Sequence, residues 1–224
     1  KIRFSRSVAA VAIGLGLVAA SAAGCAPMAS QPTHPEALAE GSASAQSGQG
    51  PALWVIRDAD STLYLFGTVH VLRPETQWFS APVQAAFDSA DEIWFEITNP
   101  DDQAAVIPLI QQHGLSLDTP LSRRLGAADF ARLDAAARSV GSSGAQMEPL
   151  RPWLAALTLS VAPLVKAGYD PTSGVELVLR ARALEAGKPI RGLETLEQQI
   201  GMLAGFSEEA QRAFLRSTPA RFDN

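Results

Sequence analysis

The sequence predicts an α/β domain, with an α+β arrangement as the alternative, built from a small mixed sheet and many helices. Three observations support this prediction. Two strand-like runs open the globular part and are separated by a short polar stretch, which is typical of a β-hairpin. A strand, a helix and a second strand follow in order. The rest of the sequence is mostly helical in pattern, with one further short strand, so helices outnumber strands.

The N-terminus has the three parts of an export signal. Residues 1–6 carry three basic side chains, residues 8–20 are apolar or glycine, and small residues precede Cys25. The apolar run is shorter than the roughly 20 residues of a membrane-spanning helix. We therefore expect a cleaved signal peptide over residues 1–25. The small residues before Cys25 are typical of a lipoprotein cleavage box and predict lipidation of Cys25; simple secretion and an uncleaved anchor are the alternatives.

Composition supports an exported, lipid-anchored protein. Cys25 is the sole cysteine, so it forms no intramolecular disulfide, although an exported protein has the chance to form one. A lipid on Cys25 would attach the protein to a membrane of the cell envelope, on its periplasmic or extracellular face. The formal net charge of −5 gives no indication of nucleic-acid binding.

Two regions follow the predicted signal. Residues 26–50 are rich in Ala, Ser, Gln, Gly and Pro, lack an apolar period and predict a flexible linker. Residues 51–224 are long enough for one domain. In this domain, residues 53–56 and 63–66 predict the two strands of the hairpin.

The next elements predict a crossover unit. Ser80 is a good N-cap for a helix that ends near residue 90, and residues 93–97 resume a strand pattern. Strand, helix and strand over residues 63–97 therefore predict a βαβ unit with parallel strands. Asn99 and Pro100 predict the start of a helix that ends near residues 112–114. Further helices are expected at 127–140, 152–167, 173–186, 195–204 and 207–216, with a short strand at 188–191.

His70 is the first candidate for chemistry. It follows the strand end in the string Phe66-Gly67-Thr68-Val69-His70, where Gly67 would let the backbone approach a ligand closely. α/β proteins bind ligands beyond the carboxyl ends of their strands, and imidazole acts there as a metal ligand or a base. The alternative is a partly buried histidine bonded to a neighbouring carbonyl group.

Two glutamates at strand ends are further candidates. Glu96 interrupts the apolar strand 93–97, where a carboxylate is costly to bury unless it is paired or binds a metal. In the predicted crossover, Glu96 and His70 would end neighbouring strands; simple alternation along the strand is the other explanation of Glu96. Glu194 follows the third strand, just before a helix, and could reach the same crevice, although an acidic residue is also favourable at the start of a helix.

Other residues have structural explanations. Glu176 forms a potential capping box with Ser173, and Thr195 forms one with Gln198. His113 precedes Gly114 at a predicted helix end, and His34 lies in the linker. The sequence has no His-Glu-x-x-His string, no Gly-x-Ser-x-Gly elbow and no phosphate-binding glycine loop.

Two strings together resemble the TraB/GumN family, which is related to the Tiki metalloproteases and the erythromycin-esterase-like proteins. They are Leu63-Tyr64-Leu65-Phe66-Gly67-Thr68-Val69-His70 and the run from Gly187 to Gln199, with Glu96 between them. The resemblance implies an α/β fold and, for the Tiki branch, metal-dependent peptidase activity. It places the first Gly-x-x-His motif on Gly67 and His70 and the acidic residue on Glu96. The second Gly-x-x-His motif of the family is not found in this sequence, which suggests that the domain is C-terminally truncated.

The first functional hypothesis is therefore an envelope-anchored, metal-dependent hydrolase that acts on peptides or proteins. His70 and Glu96 would be its catalytic residues, and His70, Glu96 and Glu194 would bind a divalent ion such as Mn²⁺, Co²⁺ or Zn²⁺. A non-catalytic lipoprotein that serves as a binding or scaffolding module is the second hypothesis. Metal-free hydrolysis by a His and Glu pair is the third.

Overall fold

The computed structural model describes residues 44–45 and 51–218. The predicted signal peptide, Cys25, His34 and the predicted linker apart from residues 44–45 lie outside the described residues. The described residues divide into two compact units, and the assignment of residues 51–224 to one domain stays a prediction. We call residues 44–45, 51–68 and 77–90 the hairpin unit, and residues 69–76 and 91–218 the helical unit.

The hairpin unit contains one antiparallel sheet and one helix. Its strands follow the order β1 (Ser44–Ala45), β2 (Leu53–Arg57) and β3 (Thr62–Phe66), and its helix is α1 (Ala81–Ser89). The predicted hairpin is confirmed, because Leu53 pairs with Phe66 and Arg57 with Thr62. Strand β1 lies within the predicted linker. Strand pairing uses backbone groups that almost any residue provides, so the composition of residues 26–50 did not predict it.

The turn of the hairpin is stabilised by one carboxylate. Asp58 accepts hydrogen bonds from the backbone N–H groups of Asp60 and Ser61, at 3.2 and 2.7 Å. An aspartate side chain that binds the backbone two or three residues ahead favours a tight turn. This contact explains why the chain reverses between the two strand-like runs.

The predicted crossover over residues 63–97 is wrong in its strand pairing. Strand β3 pairs with β2, whereas β4 (Ile93–Ile97) pairs in parallel with β5 (Ile190–Glu194). A helix does lie between β3 and β4, as expected, but local pattern does not specify which strands pair. The parallel pair is therefore joined by a much longer connection than the one predicted.

The helical unit contains most of the helices. In chain order, its described helices are α2 (Gln103–His113), α3 (Leu121–Leu125), α4 (Ala127–Ser139), α5 (Gly144–Met147), α6 (Pro152–Lys166), α7 (Val175–Glu185), α8 (Leu196–Ala204) and α9 (Glu208–Ser217). The fold class is therefore mixed α/β with small sheets and an N-terminal hairpin, as predicted. The short helices α3 and α5 were not predicted, since four or five residues do not establish a helical period.

Helix α2 begins later than the sequence suggested. Its N-cap is Asp102, whose carboxylate accepts a hydrogen bond from the backbone N–H of Ala105 at 3.1 Å. The predicted cap Asn99 instead donates its side-chain amide to Asp102 at 3.2 Å. Both residue types cap helices well, so composition alone did not decide between them.

Helix α6 is the centre of the helical unit. It contributes Trp153, Leu154, Leu157 and Val161 to a hydrophobic cluster with β4, α2 and α8. On another side it contributes Ala155, Ala156 and Leu159 to a second cluster with α3, α4, α5 and α9. A helix that is apolar on several faces needs neighbours on each of them. None of the helices in the described part of the chain has the length and hydrophobicity needed to cross a membrane.

Candidate functional site

Backbone hydrogen bonds hold the segment that carries His70 against the start of α7. The N–H of Val175 donates to the carbonyl oxygen of Val69 at 3.0 Å, and the N–H of Asp170 donates to that of Leu72 at 2.8 Å. His70 lies between these two anchor points. Its backbone is therefore positioned by α7 and by the loop that precedes this helix.

His70 and Glu176 form an ion pair. The Nδ1 atom of His70 lies 2.9 Å from Oε1 of Glu176, and the two side chains are 26% and 12% exposed. Because Glu176 lies in the first turn of α7, the helix that holds the His70 backbone also supplies the partner of its ring. This arrangement fixes both the position and the orientation of the imidazole.

Two carboxylates affect the charge of His70. The hydrogen bond to Glu176 raises the pKa of His70 above its ordinary value of 6.5, burial opposes this effect, and the negative charges of Glu176 and Glu96 add to it. The balance is a raised pKa. His70 therefore remains protonated to a higher pH than a free imidazole, and Glu96 is close enough to act on it electrostatically.

Glu96 follows the alternation of its strand and also faces a cavity. Phe95 and Ile97 are buried, whereas Trp94 and Glu96 are exposed, so strand alternation alone would explain the carboxylate. Nevertheless, Glu96 lines the same cavity as His70 and Glu176. The expected proximity of His70 and Glu96 is thus present, although it does not arise from neighbouring parallel strands.

The cavity combines apolar walls with a few polar groups. Its lining residues are His70, Phe95, Glu96, Ile97, Pro100, Pro171, Glu176, Leu177, Leu196 and Gln199. All of them belong to the helical unit. The volume open to the centres of water molecules is about 40 Å³, which is enough for about three waters. Apolar walls with a few convergent polar groups are the usual lining of a binding or active site.

Glu176 is the residue that sequence reasoning missed. The predicted capping box fails because α7 begins after Gly174, and no side chain caps it. The box assumed that Ser173 was the N-cap, but Ser173 ends a 3₁₀ turn one residue earlier. Glu176 is thereby released from capping and contacts His70. The glycine between Ser173 and Val175 was a signal for this shift, since glycine also occupies N-cap positions.

The structure does not bring the other predicted site residues into the cavity. Glu194 pairs with Ile97 at the end of β5 but does not line the cavity. Gly67 extends the hairpin by donating its N–H to Ala52 at 2.9 Å, and a β-carbon on it would meet Ala52 at an ordinary contact distance. Cys25 lies outside the described residues.

The described residues do not match the donor set of a typical catalytic metal site. They include no group of three or more His, Cys, Asp and Glu side chains placed to hold one ion, whereas catalytic zinc usually has three protein ligands. Two carboxylates and one imidazole share the cavity, but Glu176 is paired with His70. A metal ion would thus need donors beyond the described residues.

Arg180 fixes α7 relative to the end of β4. Its Nε atom donates to the carbonyl oxygen of Thr98 at 2.8 Å, and its Nη1 atom lies 3.4 Å from Oδ2 of Asp101. Thr98 directly follows β4, the strand that carries Glu96. The arginine therefore connects the helix that carries Glu176 to the strand that carries Glu96.

Comparison with known proteins gives a family match. A sequence model described as the TraB/PrgY/gumN family matches residues 52–223. An uncharacterized protein of Treponema pallidum (strain Nichols) is 24% identical over 166 residues, which are 73% of this chain and 49% of that protein. The chain thus spans about half the length of the curated relative that it matches. No solved structure matches the chain.

Proposed function

The chain belongs to the TraB/PrgY/gumN family, and from this premise we propose that it is part of an envelope-anchored hydrolase in which His70 is the acid–base residue. The observation that carries the proposal is the contact of 2.9 Å between His70 and Glu176 beside a cavity that Glu96 also lines. The substrate class, a peptide or protein, comes from the resemblance to the Tiki proteases.

The ion pair determines which ring nitrogen reacts. Because Nδ1 of His70 is occupied by Glu176, Nε2 is the nitrogen that remains for proton transfer. A carboxylate at Nδ1 fixes the tautomer of the ring and stabilises the imidazolium that forms when Nε2 accepts a proton. In its neutral form, His70 would thus take a proton from an attacking water at Nε2 and return it to the leaving group.

Glu96 would have an electrostatic role. Its negative charge favours the protonated form of His70, which helps the imidazole to accept a proton as water attacks. The same charge disfavours anionic groups in the cavity. A neutral amide is therefore a better substrate group here than a carboxylate or a phosphate.

Activity assays on matched variants test the role of His70. The purified protein would be assayed on a library of fluorescence-quenched peptides, together with His70→Ala, Glu176→Gln, Glu96→Gln and the control Glu185→Gln. Glu185 lies on α7 and is exposed, so its variant removes one charge from the same helix outside the cavity. We expect large losses for the first three variants and none for the control. Unchanged activity in His70→Ala would exclude His70 as the acid–base residue.

A separate experiment tests the metal dependence that the resemblance implies. Wild-type protein and His70→Ala would be titrated with Mn²⁺, Co²⁺ and Zn²⁺ by calorimetry, and activity would be measured in strong chelator. Loss of activity in chelator, with metal binding that His70→Ala weakens, would support a metal site that uses Nε2. Metal binding that His70→Ala leaves unchanged would exclude His70 as a ligand. Activity that persists in chelator would support the metal-free pair.

Envelope anchoring rests on the N-terminal sequence. We propose that Cys25 is lipidated after signal cleavage and that the residues following it connect the domain to the membrane. Cells that express the full chain would be labelled with an alkyne fatty acid and then fractionated. We expect a labelled protein in the membrane fraction and an unlabelled one for Cys25→Ser. A label retained by Cys25→Ser would contradict the assignment.

A further inference from the structure

Gln199 is a buried polar residue without an internal partner. It lies on α8, is 5% exposed and lines the cavity. Two other buried polar residues in the described part, Gln211 and Thr218, donate hydrogen bonds from their side chains to backbone carbonyl groups. The side-chain amide of Gln199 makes no hydrogen bond to any described residue, although its backbone N–H donates to Thr195. Gln199 therefore differs from the buried residues that satisfy their polar groups within the fold.

The side-chain amide of Gln199 has no hydrogen bond that holds it within the fold. Its N and O atoms are not among the fully buried side-chain atoms that lack a partner in the described residues, so they stay open to the contents of the cavity. Replacing them by an apolar group of similar shape would remove no internal hydrogen bond. The same cavity is lined by the buried apolar residues Phe95 and Leu196 and by the charged groups of His70, Glu96 and Glu176. Because none of these groups forms a hydrogen bond with the Gln199 side chain, its amide is left to bind a molecule that enters the cavity.

The chemistry of the lining limits which ligand fits. A glutamine side chain offers both a donor N–H₂ group and an acceptor oxygen, which complement the C=O and N–H groups of another amide. The charged lining residues besides His70 are Glu96 and Glu176, and no lysine or arginine is among the described lining residues. A carboxylate or phosphate ligand would be repelled, whereas a neutral amide would not.

We propose that the side-chain amide of Gln199 is a substrate-binding group that forms hydrogen bonds with a backbone amide of a peptide substrate beside His70. This inference rests on the proposed hydrolase function and adds to it the residue that recognises a substrate amide adjacent to the reacting centre. Gln199 then contributes to affinity for the substrate and to selection of amides over esters.

The experiment uses two probes that differ at one position. N-acetyl-trialanine N-methylamide presents backbone amides, and its depsipeptide analogue replaces the central amide N–H by an ester oxygen. Each would be titrated into ¹⁵N-labelled protein, and the side-chain N–H₂ signals of Gln199 would be identified by their loss in Gln199→Leu. We expect the peptide to shift these signals, and the depsipeptide to bind about tenfold more weakly, as the loss of one good hydrogen bond predicts.

Two variants separate binding from folding. Gln199→Leu is expected to bind the peptide about tenfold more weakly and to unfold at a temperature no lower than that of wild type, because the substitution removes no hydrogen bond within the fold. Gln198→Leu makes the same change one residue earlier, at an exposed position that caps α8. It should unfold at a lower temperature and bind the peptide normally. A residue with a purely structural role would give a destabilised Gln199→Leu variant.

The outcomes distinguish this inference from the proposed function. Unchanged peptide affinity in Gln199→Leu, together with wild-type Gln199 side-chain signals that the peptide does not shift, would overturn the role of Gln199. Peptide hydrolysis that depends on His70 would still support the hydrolase. Equal affinities for the peptide and the depsipeptide would overturn the amide selection. Absence of peptide binding to wild type would overturn the inference as a whole. Peptide binding through Gln199 without hydrolysis would retain the inference and contradict the hydrolase.

Discussion

Gly174 lies directly against the backbone of His70, so closely that a β-carbon on Gly174 would overlap the carbonyl oxygen of His70. The glycine precedes α7, and the next residue binds the carbonyl oxygen of Val69. This contact sets the distance between the His70 backbone and the helix that carries Glu176. It makes the geometry of the ion pair depend on a residue that has no side chain.

Gly174→Ala should displace His70 from Glu176. The clash is with backbone atoms, which cannot rotate away, so we expect a loss of about 1–3 kcal/mol in the free energy of unfolding. A displacement near 1 Å would lower hydrolysis by about 100-fold. Urea unfolding and the peptide assay would measure both effects.

Gly201→Ala is the matched control for this substitution. Gly201 lies within α8, and a β-carbon on it meets no atom within 4 Å. Alanine is favoured over glycine in a helix, so this variant should gain about 0.5–1 kcal/mol in the free energy of unfolding. Equal behaviour of the two variants would contradict the proposed role of the Gly174 contact.

Glu176→Gln should lower the pKa of His70. Because the hydrogen bond to Glu176 is the largest contribution to the raised pKa, removing its charge leaves burial as the main influence on the ring, and burial acts downward. Glu96→Gln should lower this pKa by a smaller amount, since Glu96 acts through charge alone. NMR titration of the imidazole signals would measure both shifts, with Glu185→Gln as the unchanged control. A larger decrease of the His70 pKa in Glu96→Gln than in Glu176→Gln would contradict the assignment of Glu176 as the main cause of the raised pKa.

Much of the fold was predictable because its signals are local. The hairpin, strand β4 and the longer helices from residue 127 onward follow sequence patterns whose residues lie close together in the chain. The capping box of Thr195 and Gln198 is present as predicted, with hydrogen bonds of 3.1 and 2.8 Å. The partner of β4 was not predictable, because β4 and β5 are joined through many intervening helices.

The site was predictable only in part, because some of its residues come together only in the tertiary structure. His70 and Glu96 were identified from their positions at strand ends, and both line one cavity. Glu176 and Gln199 act through the tertiary structure, since a shift of one residue at the start of α7 decides whether Glu176 caps the helix or contacts His70. Gln199 has no unusual sequence signal at all. Only the tertiary structure shows that Gln199 is buried and that its side-chain amide faces the cavity without a hydrogen bond inside the fold.

The stability of the protein should fall as the pH rises through the titration of His70. The folded pKa of His70 is raised above 6.5, so the folded state binds the proton more tightly than the unfolded state. The resulting stabilisation is fully present below the unfolded pKa of about 6.5 and is lost as the pH rises through the higher folded pKa. Urea unfolding at a series of pH values from 5.5 to 9 would measure this loss.

His70→Gln should lack this part of the pH dependence. Glu176 and Glu96 raise the pKa of the imidazole. The glutamine of the variant does not titrate, so these two carboxylates no longer make the stability depend on pH through residue 70. His113→Gln is the control, since His113 makes no ion pair with any described residue. The control should retain the decline of wild type. A decline that His70→Gln also retains in full would assign it to other groups.

Arg180→Met should weaken the connection between α7 and the end of β4. The guanidinium of Arg180 is 25% exposed and donates to the carbonyl oxygen of Thr98, and a hydrogen bond from a charged donor contributes about 1.5–3 kcal/mol. We expect a loss in the lower half of that range, because part of the guanidinium is in contact with water. Methionine preserves much of the side-chain volume, so the loss reports the polar contacts more than the packing.

Arg180→Met should lower kcat by more than its loss of folding free energy alone would explain. Loss of the anchor allows α7 and β4 to move apart, which separates Glu176 from Glu96 and should lower kcat more than it raises KM. Arg138→Met is the control, because its ion pair with Asp134 is largely exposed and lies on α4, and such pairs contribute about 0.2–1 kcal/mol. Circular dichroism, urea unfolding and peptide kinetics on both variants would test this. Normal kcat in a destabilised Arg180→Met would show that Arg180 stabilises the fold without positioning the site.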